Sequence, residues 1–235
     1  EDKFSPENYR LLKLAFLAAP TKVWVLRVGE DAEKTYQALE RLRFDWLAAP
    51  GLDDARVMSF IKTLRNGGRG VKAVVANATA PDCEGIVNLC VSGLTLEDGA
   101  MEAKDYAVRV AALLAALPLT RSATYVNLPE VVGCDALAEP DEAVDAGKLI
   151  IVPGREGYRL GRAVNSLTTL TPDKAAPFQK LSGIQRDGHL RHEGHRHSES
   201  QHRQSGVFGG QADLLRRHGG SGAGHLHVTH RTNVK

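Results

Sequence analysis

Histidine is the side chain best suited to acid–base and metal chemistry near neutral pH, and this sequence confines it to one end. All nine (His189, His192, His195, His197, His202, His218, His225, His227 and His230) fall in the last quarter of the 235 residues, four of them inside "HLRHEGHRH". Imidazoles at that density can capture zinc or nickel. However, no cysteine or carboxylate pattern closes a tetrahedral set around them, and the neighbouring residues predict no fold to hold one. No metal ligand and no cofactor is assigned. Residues 1–188 lack histidine altogether, so a Ser/His/Asp or Cys/His nucleophile cannot be assembled there. Cys83 in "PDCEG" has no base near it in sequence. Cys83, Cys90 and Cys134 fit neither a zinc ribbon nor a disulfide scaffold and read as buried thiols.

Carboxylates are the remaining candidates. "LDDAR" (Asp53, Asp54), "LEDG" (Glu97, Asp98) and "DEAVDAG" could hold a divalent cation or do acid–base work. Two of these runs lie where a helix is predicted to begin, and the helix dipole alone favours acids there. No catalytic residue is assigned. The Gly-rich "NGGRG" at 66–70 precedes a predicted strand and lacks the Lys and Ser/Thr of a phosphate loop, so it reads as a helix-to-strand turn. Trp24 and Trp46 fall on predicted strands and read as core rather than as a base-stacking platform.

The elements that would position such groups alternate. "SPENYRLLKLAFLAAP" is a helix capped by Ser5 with Pro6 in its first turn; "KVWVLRVG" is a strand; "DAEKTYQALERLR" is a helix; "FDWLAAP" is a strand; "DDARVMSFIKTLRNGG" is a helix closed by Gly67; "VKAVVAN" is a strand. Strands this uniformly apolar have no wet face, which implies a parallel sheet covered by helices on both sides. "EGIVNLCVSG" adds a strand, "DGAMEAKDYAVRVAALLAAL" a long helix stopped by Pro118, and "SATYVNLPEVV" an extended segment. A short helix comes next, then a β-hairpin from "KLIIVPG" and "YRLGRAVNS". The expected fold class is α/β: a mostly parallel sheet flanked by helices, with a C-terminal β-hairpin and a disordered basic tail.

The tail is a different kind of sequence. It holds 8 Lys and Arg against 4 Asp and Glu in residues 181–235, leaving 22 against 24 for 1–180, so the net charge of +2 divides into +4 and −2. It carries 10 of the 23 glycines and no sustained period, a composition that cannot bury enough apolar area to order itself. The near-neutral body argues against a specific nucleic-acid partner. No apolar run approaches the roughly 20 residues of a membrane helix, and "EDKFSPENYR" lacks the pattern of a secretory signal; neither a membrane span nor export is expected.

"AVDAGKLIIVPGREGYRLGRAVNSLTTLTPDK", with "KVWVLRVG", "DCEGIVNLCVSGLTLEDG" and "AALLAALPLTRSATYVNLPEVV", resembles the tail sheath proteins of contractile bacteriophage tails and related prophage particles. Gly147, Lys148, the adjoining strand and turn, and then Arg162, Val164, Asn165, Ser166, Leu167, Thr168 and Thr169 look like the junction between that family's subtilisin-like domain and its C-terminal part. The resemblance covers roughly residues 3–178. It implies a structural, non-enzymatic subunit: hexameric rings stacked around a tail tube above a baseplate, contracting to drive the tube through the host envelope. Extended arms would add strands to neighbouring subunits, and the particle would be assembled in the bacterial cytoplasm and reside in the virion tail. The implied domains are 1–147, the α/β sheath domain; 148–178, the hairpin and the start of the C-terminal region; and 179–235, the tail.

By this resemblance the chain lacks the family's usual N-terminal region and its helical and extended part after Lys180, so it is expected to be truncated at both ends, and both arms and the ability to assemble are in question. The tail then reads as out-of-frame translation of a GC-rich gene. Read one nucleotide later, the codons of "IQRDGHLRHEGH" permit Ser-Glu-Met-Asp-Ile followed by an aromatic residue, Asp, Met and a base. Two other classes stay open: a small metal-dependent α/β enzyme using Asp53, Asp54, Glu97 and Asp98, and a metal- or anion-binding module acting through the histidine tail.

Overall fold

The computed structural model describes residues 4–79 and 81–169, together with the backbone of 225–231. Local signals place the first half of the chain. α1 (Pro6–Phe16) starts where the Ser5 hydroxyl accepts the Asn8 N–H at 3.3 Å, and it buries Leu11, Leu14 and Ala15. β1 (Lys22–Val28) leads to α2 (Ala32–Arg41), capped by the Asp31 carboxylate on the Glu33 N–H. β2 (Trp46–Ala48) leads to α3 (Asp54–Asn66), capped by Asp53 on the Arg56 N–H at 2.9 Å, and then to β3 (Lys72–Ala76) and β4 (Ile86–Cys90).

Next come two short strands, β5 (Thr95–Leu96) and β6 (Gly99–Ala100), and the long helix α4 (Ala103–Ala116). β7 (Asn127–Leu128), β8 (Val131–Gly133), α5 (Pro140–Asp145) and the hairpin β9 (Lys148–Gly154) and β10 (Gly157–Leu160) complete the body, and β11 (His225–Arg231) is the last strand.

The main sheet runs β1-β11-β2-β3-β4-β9-β10-β7, parallel from β1 to β9 and antiparallel at β10 and β7; β6-β5-β8 form a second, antiparallel sheet. Strand alternation feeds two cores. Trp46, Ala48, Val74, Ala76, Val87 and Leu89 pack with α1 and α4, while Leu47, Ala73, Val75 and Ile86 pack with Tyr36 and Leu39 of α2 and Val57, Phe60 and Ile61 of α3. Both sheet faces are therefore dry, as a parallel sheet requires. The strands also keep their polar groups paired where they splay. The Asn77 side chain bonds both backbone groups of Val91, and the Asn88 side chain both backbone groups of Ala78.

Three details depart from the sequence reading. α4 starts at Ala103 rather than at Asp98, because Gly99 takes φ +117° and turns the preceding residues into the β5–β6 hairpin. The second hairpin strand stops at Leu160, where the Gly161 N–H bonds the Ile150 carbonyl and the chain turns away toward residues 82–86. Finally, His225–Arg231, expected to be disordered with the rest of 179–235, is an interior strand; the remainder of that segment lies outside the described residues.

Candidate functional site

Of the four carboxylates of the enzyme reading, Asp53, Asp54 and Asp98 have separate structural occupations, while Glu97 is exposed and only its backbone N–H is seen to bond, to the Glu130 carbonyl. Asp53 caps α3; Asp54 lies 3.6 Å from the Lys104 ammonium, and its pKa is raised by burial. Asp98 holds Arg10 through two bonds of 2.6 and 2.9 Å, and the guanidinium keeps its carboxyl below the usual range. Arg10 also donates to the Gly99 and Ala100 carbonyls, so this cluster ties α1 to the β5–β6 turn. Among the described residues no three His, Cys, Asp or Glu side chains gather to hold a metal. Cys83 is buried and its thiol pKa is pushed up by that burial, the opposite of an activated nucleophile. Trp46 lies in the core, whereas Trp24 is half-buried under the Lys22 ammonium at 3.8 Å.

A crevice of about 600 Å³ opens at the carboxyl ends of β3 and β4 beside the start of α4, lined among others by Asn77, Ser92, Thr95, Glu102 and Lys104. An α/β enzyme would bind its ligand at such a place. Its lining here has no histidine, no cysteine and no carboxylate pair. Lys104 is already engaged with the Leu52 carbonyl at 2.7 Å.

Sequence reading missed the two polar clusters that the structure builds most carefully. In the first, Glu130, between β7 and β8, accepts from Tyr106 Oη and Arg109 Nε of α4 with one oxygen, both at 2.7 Å. Burial drives the Tyr106 pKa upward. The visible signal was an arginine inside "YAVRVAALLAA", a run otherwise made for a buried helix. In the second, Asp82 accepts the Thr168 and Thr169 N–H groups at 2.8 and 3.0 Å and the Thr168 hydroxyl at 3.2 Å, which lowers its carboxyl to about 2. Next to it the Ser166 hydroxyl donates to the Cys83 carbonyl and accepts the Cys83 N–H. Residues that the resemblance placed at a domain junction are thus pinned to the loop before β4.

Among the described residues, the apolar side chains of Phe16, Leu17, Tyr125 and Val132 are each more than half exposed. A tail sheath protein of Clostridium phage phiCD119 is 34% identical over 193 residues, covering 75% of this chain and 54% of the relative. A sheath tail protein from Desulfitobacterium hafniense superimposes with a TM-score of 0.64 at 28% identity, over 70% of this chain and 41% of that one. In sequence and in fold the chain is similar to phage tail sheath proteins. A second sheath tail protein, from Listeria innocua, matches 66% of the chain and 39% of its own length at TM-score 0.59 and 28% identity. The phage-like element PBSX protein XkdK of Bacillus subtilis is 33% identical over 164 residues, 65% of this chain and 35% of the relative. No family model matches. The chain spans between a third and about half of the length of the curated relatives it matches.

Proposed function

We propose that the chain is a structural, non-enzymatic subunit of a contractile phage or prophage-derived tail sheath, which polymerises in rings around a tail tube above a baseplate and drives the tube through the host envelope by contracting. The 34% identity to a tail sheath protein over 193 residues carries this reading. The carboxylates of the enzyme alternative support it as well, since Asp53, Asp54 and Asp98 are each engaged in capping or in an ion pair. Sheath function sits in subunit contacts, so the test is assembly. Purified chain mixed with a preformed tube of its tail should co-sediment and show ring or striated density by negative-stain microscopy. A folded chain that stays in the supernatant would sink the proposal for this chain.

Residues 179–235 we read as out-of-frame translation of the same gene. Sequencing across codons 178–190 tests this. An open alternative frame with helical, sheath-like character supports it, and closed alternative frames exclude it and make a zinc titration of the nine histidines the next step.

A further inference from the structure

Helical crossovers usually set each strand beside the one before it. β2–α3–β3 obeys: β2 and β3 are neighbours, with Trp46 opposite Lys72. β1–α2–β2 does not. Those strands stand one position apart, and the place between them is taken by His225–Arg231 from the far end of the sequence. β11 is in register with all of β1, from Lys22 opposite His225 to Val28 opposite Arg231, and with β2 from Leu226 opposite Trp46 to Val228 opposite Ala48. Without it, two strand edges would face each other across two strand spacings, about 9.5 Å, which one strand fills and two cannot. The apolar layers above and below continue across that gap. Val23, Trp46 and Ala48 belong to the core under α4, and Leu26, Val28 and Leu47 to the core under α2 and α3.

We propose that the gap between β1 and β2 is a strand-acceptor site that binds an extended segment of about seven residues, parallel and through its backbone, and that His225–Arg231 of the same chain is its replaceable occupant. Two rows of unpaired N–H and C=O groups facing each other are costly in a buried sheet, and they are satisfied by any extended backbone. Recognition of this kind carries affinity in the ladder and little in the sequence. "HLHVTHR" fits that description, since it has none of the apolar character of "KAVVA" in β3. Because the segment belongs to the same chain, it competes with a free peptide at a high effective concentration. The slot rests on strand order alone and is independent of any role in a tail.

The experiment uses the full chain and its Val228→Pro variant, with fluorescein-labelled HLHVTHR as the probe in an anisotropy titration. Proline removes a ladder donor and is excluded from interior strands, so the variant empties the slot. The peptide should bind Val228→Pro with a micromolar Kd and the unsubstituted chain about 100-fold more weakly, because the tethered copy competes. A peptide with proline as its fourth residue should bind neither. Equal binding to both chains, or no binding to a variant whose β3 and β4 amides remain protected from exchange, overturns the proposal. Should Val228→Pro fail to fold, Val228→Gly weakens the tethered strand more gently. It should bind the peptide about tenfold more tightly than the unsubstituted chain, and no gain overturns the proposal. Sedimentation should show a monomer; a dimer that Val228→Pro dissociates would overturn the same-chain assignment and identify a second copy as the donor.

Discussion

Lys72–Ala76 and His225–Arg231 are both interior, parallel strands of one sheet, yet they are held in different ways. β3 is buried at every residue, and it is delivered by α3 through a turn in which Arg69 donates to the Glu40 and Leu42 carbonyls at 2.9 and 2.6 Å. Even its one charge is accommodated, with the Lys72 ammonium 5.4 Å from the Trp46 ring. β11 is placed by a ladder on each side. Two ladders thus place β11, whereas β3 is fixed in addition by the side chains and turns around it. Within the body, single side chains should be expensive to remove. Within β11, loss of a ladder donor should matter.

The largest effect is expected at Glu130. Its removal leaves the Arg109 guanidinium buried without its carboxylate and Tyr106 Oη without its acceptor. Breaking a buried pair from one side costs about 3–5 kcal/mol. Glu130→Ala should lower the urea midpoint accordingly and expose amides throughout β2, β3 and β4. Glu130→Gln, which keeps a neutral acceptor, should lose less. If Glu130→Ala costs under about 1 kcal/mol, the body is not wired through its side chains and the contrast with β11 collapses.

Gly147 comes next. It joins α5 to β9 at φ +71°, and a Cβ there would stand 2.9 Å from the Asn165 carbonyl oxygen and 3.0 Å from Ser166 Cα. These are backbone atoms of the segment that turns away from β10, so they cannot yield as a side-chain end would. Gly147→Ala should cost about 2–3 kcal/mol, measured by thermal unfolding. A neutral result would mean that residues 165–166 move easily, and the junction would then resemble β11 rather than β3.

The legible and illegible parts of the sequence divide along the same line. Ser5 with Pro6, the Asp31 and Asp53 caps and the "VKAVVAN" run are local signals, and α1, α2, α3 and β3 track them closely. Elements defined by pairing were harder to read. β5 and β6 are two residues each, and "SATYVNLPEVV" breaks into β7 and β8 around Pro129, which hydrophobic period cannot show. β11 was illegible because its place depends on a gap made by β1 and β2. The candidate carboxylates at helix starts were read correctly as caps in the case of Asp53. The Glu130 and Asp82 clusters went unseen because their partners are 21 and 86 residues away, beyond any spacing rule.

The smallest effect among these is expected at Asp82, and it carries a pH signature. Its carboxylate, on a residue held at φ 28°, accepts two backbone N–H groups and a hydroxyl of Thr168 and Thr169, and those bonds lower its pKa to about 2. A carboxyl depressed in the folded state stabilises fully above its ordinary value near 4, and that contribution disappears as pH falls from about 4 through 2. The site is open enough to solvent for screening to matter, so Asp82→Asn should cost only about 1 kcal/mol at pH 7. The gap between variant and parent should narrow steadily below pH 4 and close near pH 2. Hydrogen exchange gives the local reading: the Thr168 and Thr169 amides should exchange faster in Asp82→Asn while β3 and β4 stay protected. Should those amides exchange at parental rates, the carboxylate is not the group that pins the departing chain. The Ser166 bonds to Cys83 would then be the fastening at the edge of the wired body, holding the chain against the loop before β4 as it leaves β10.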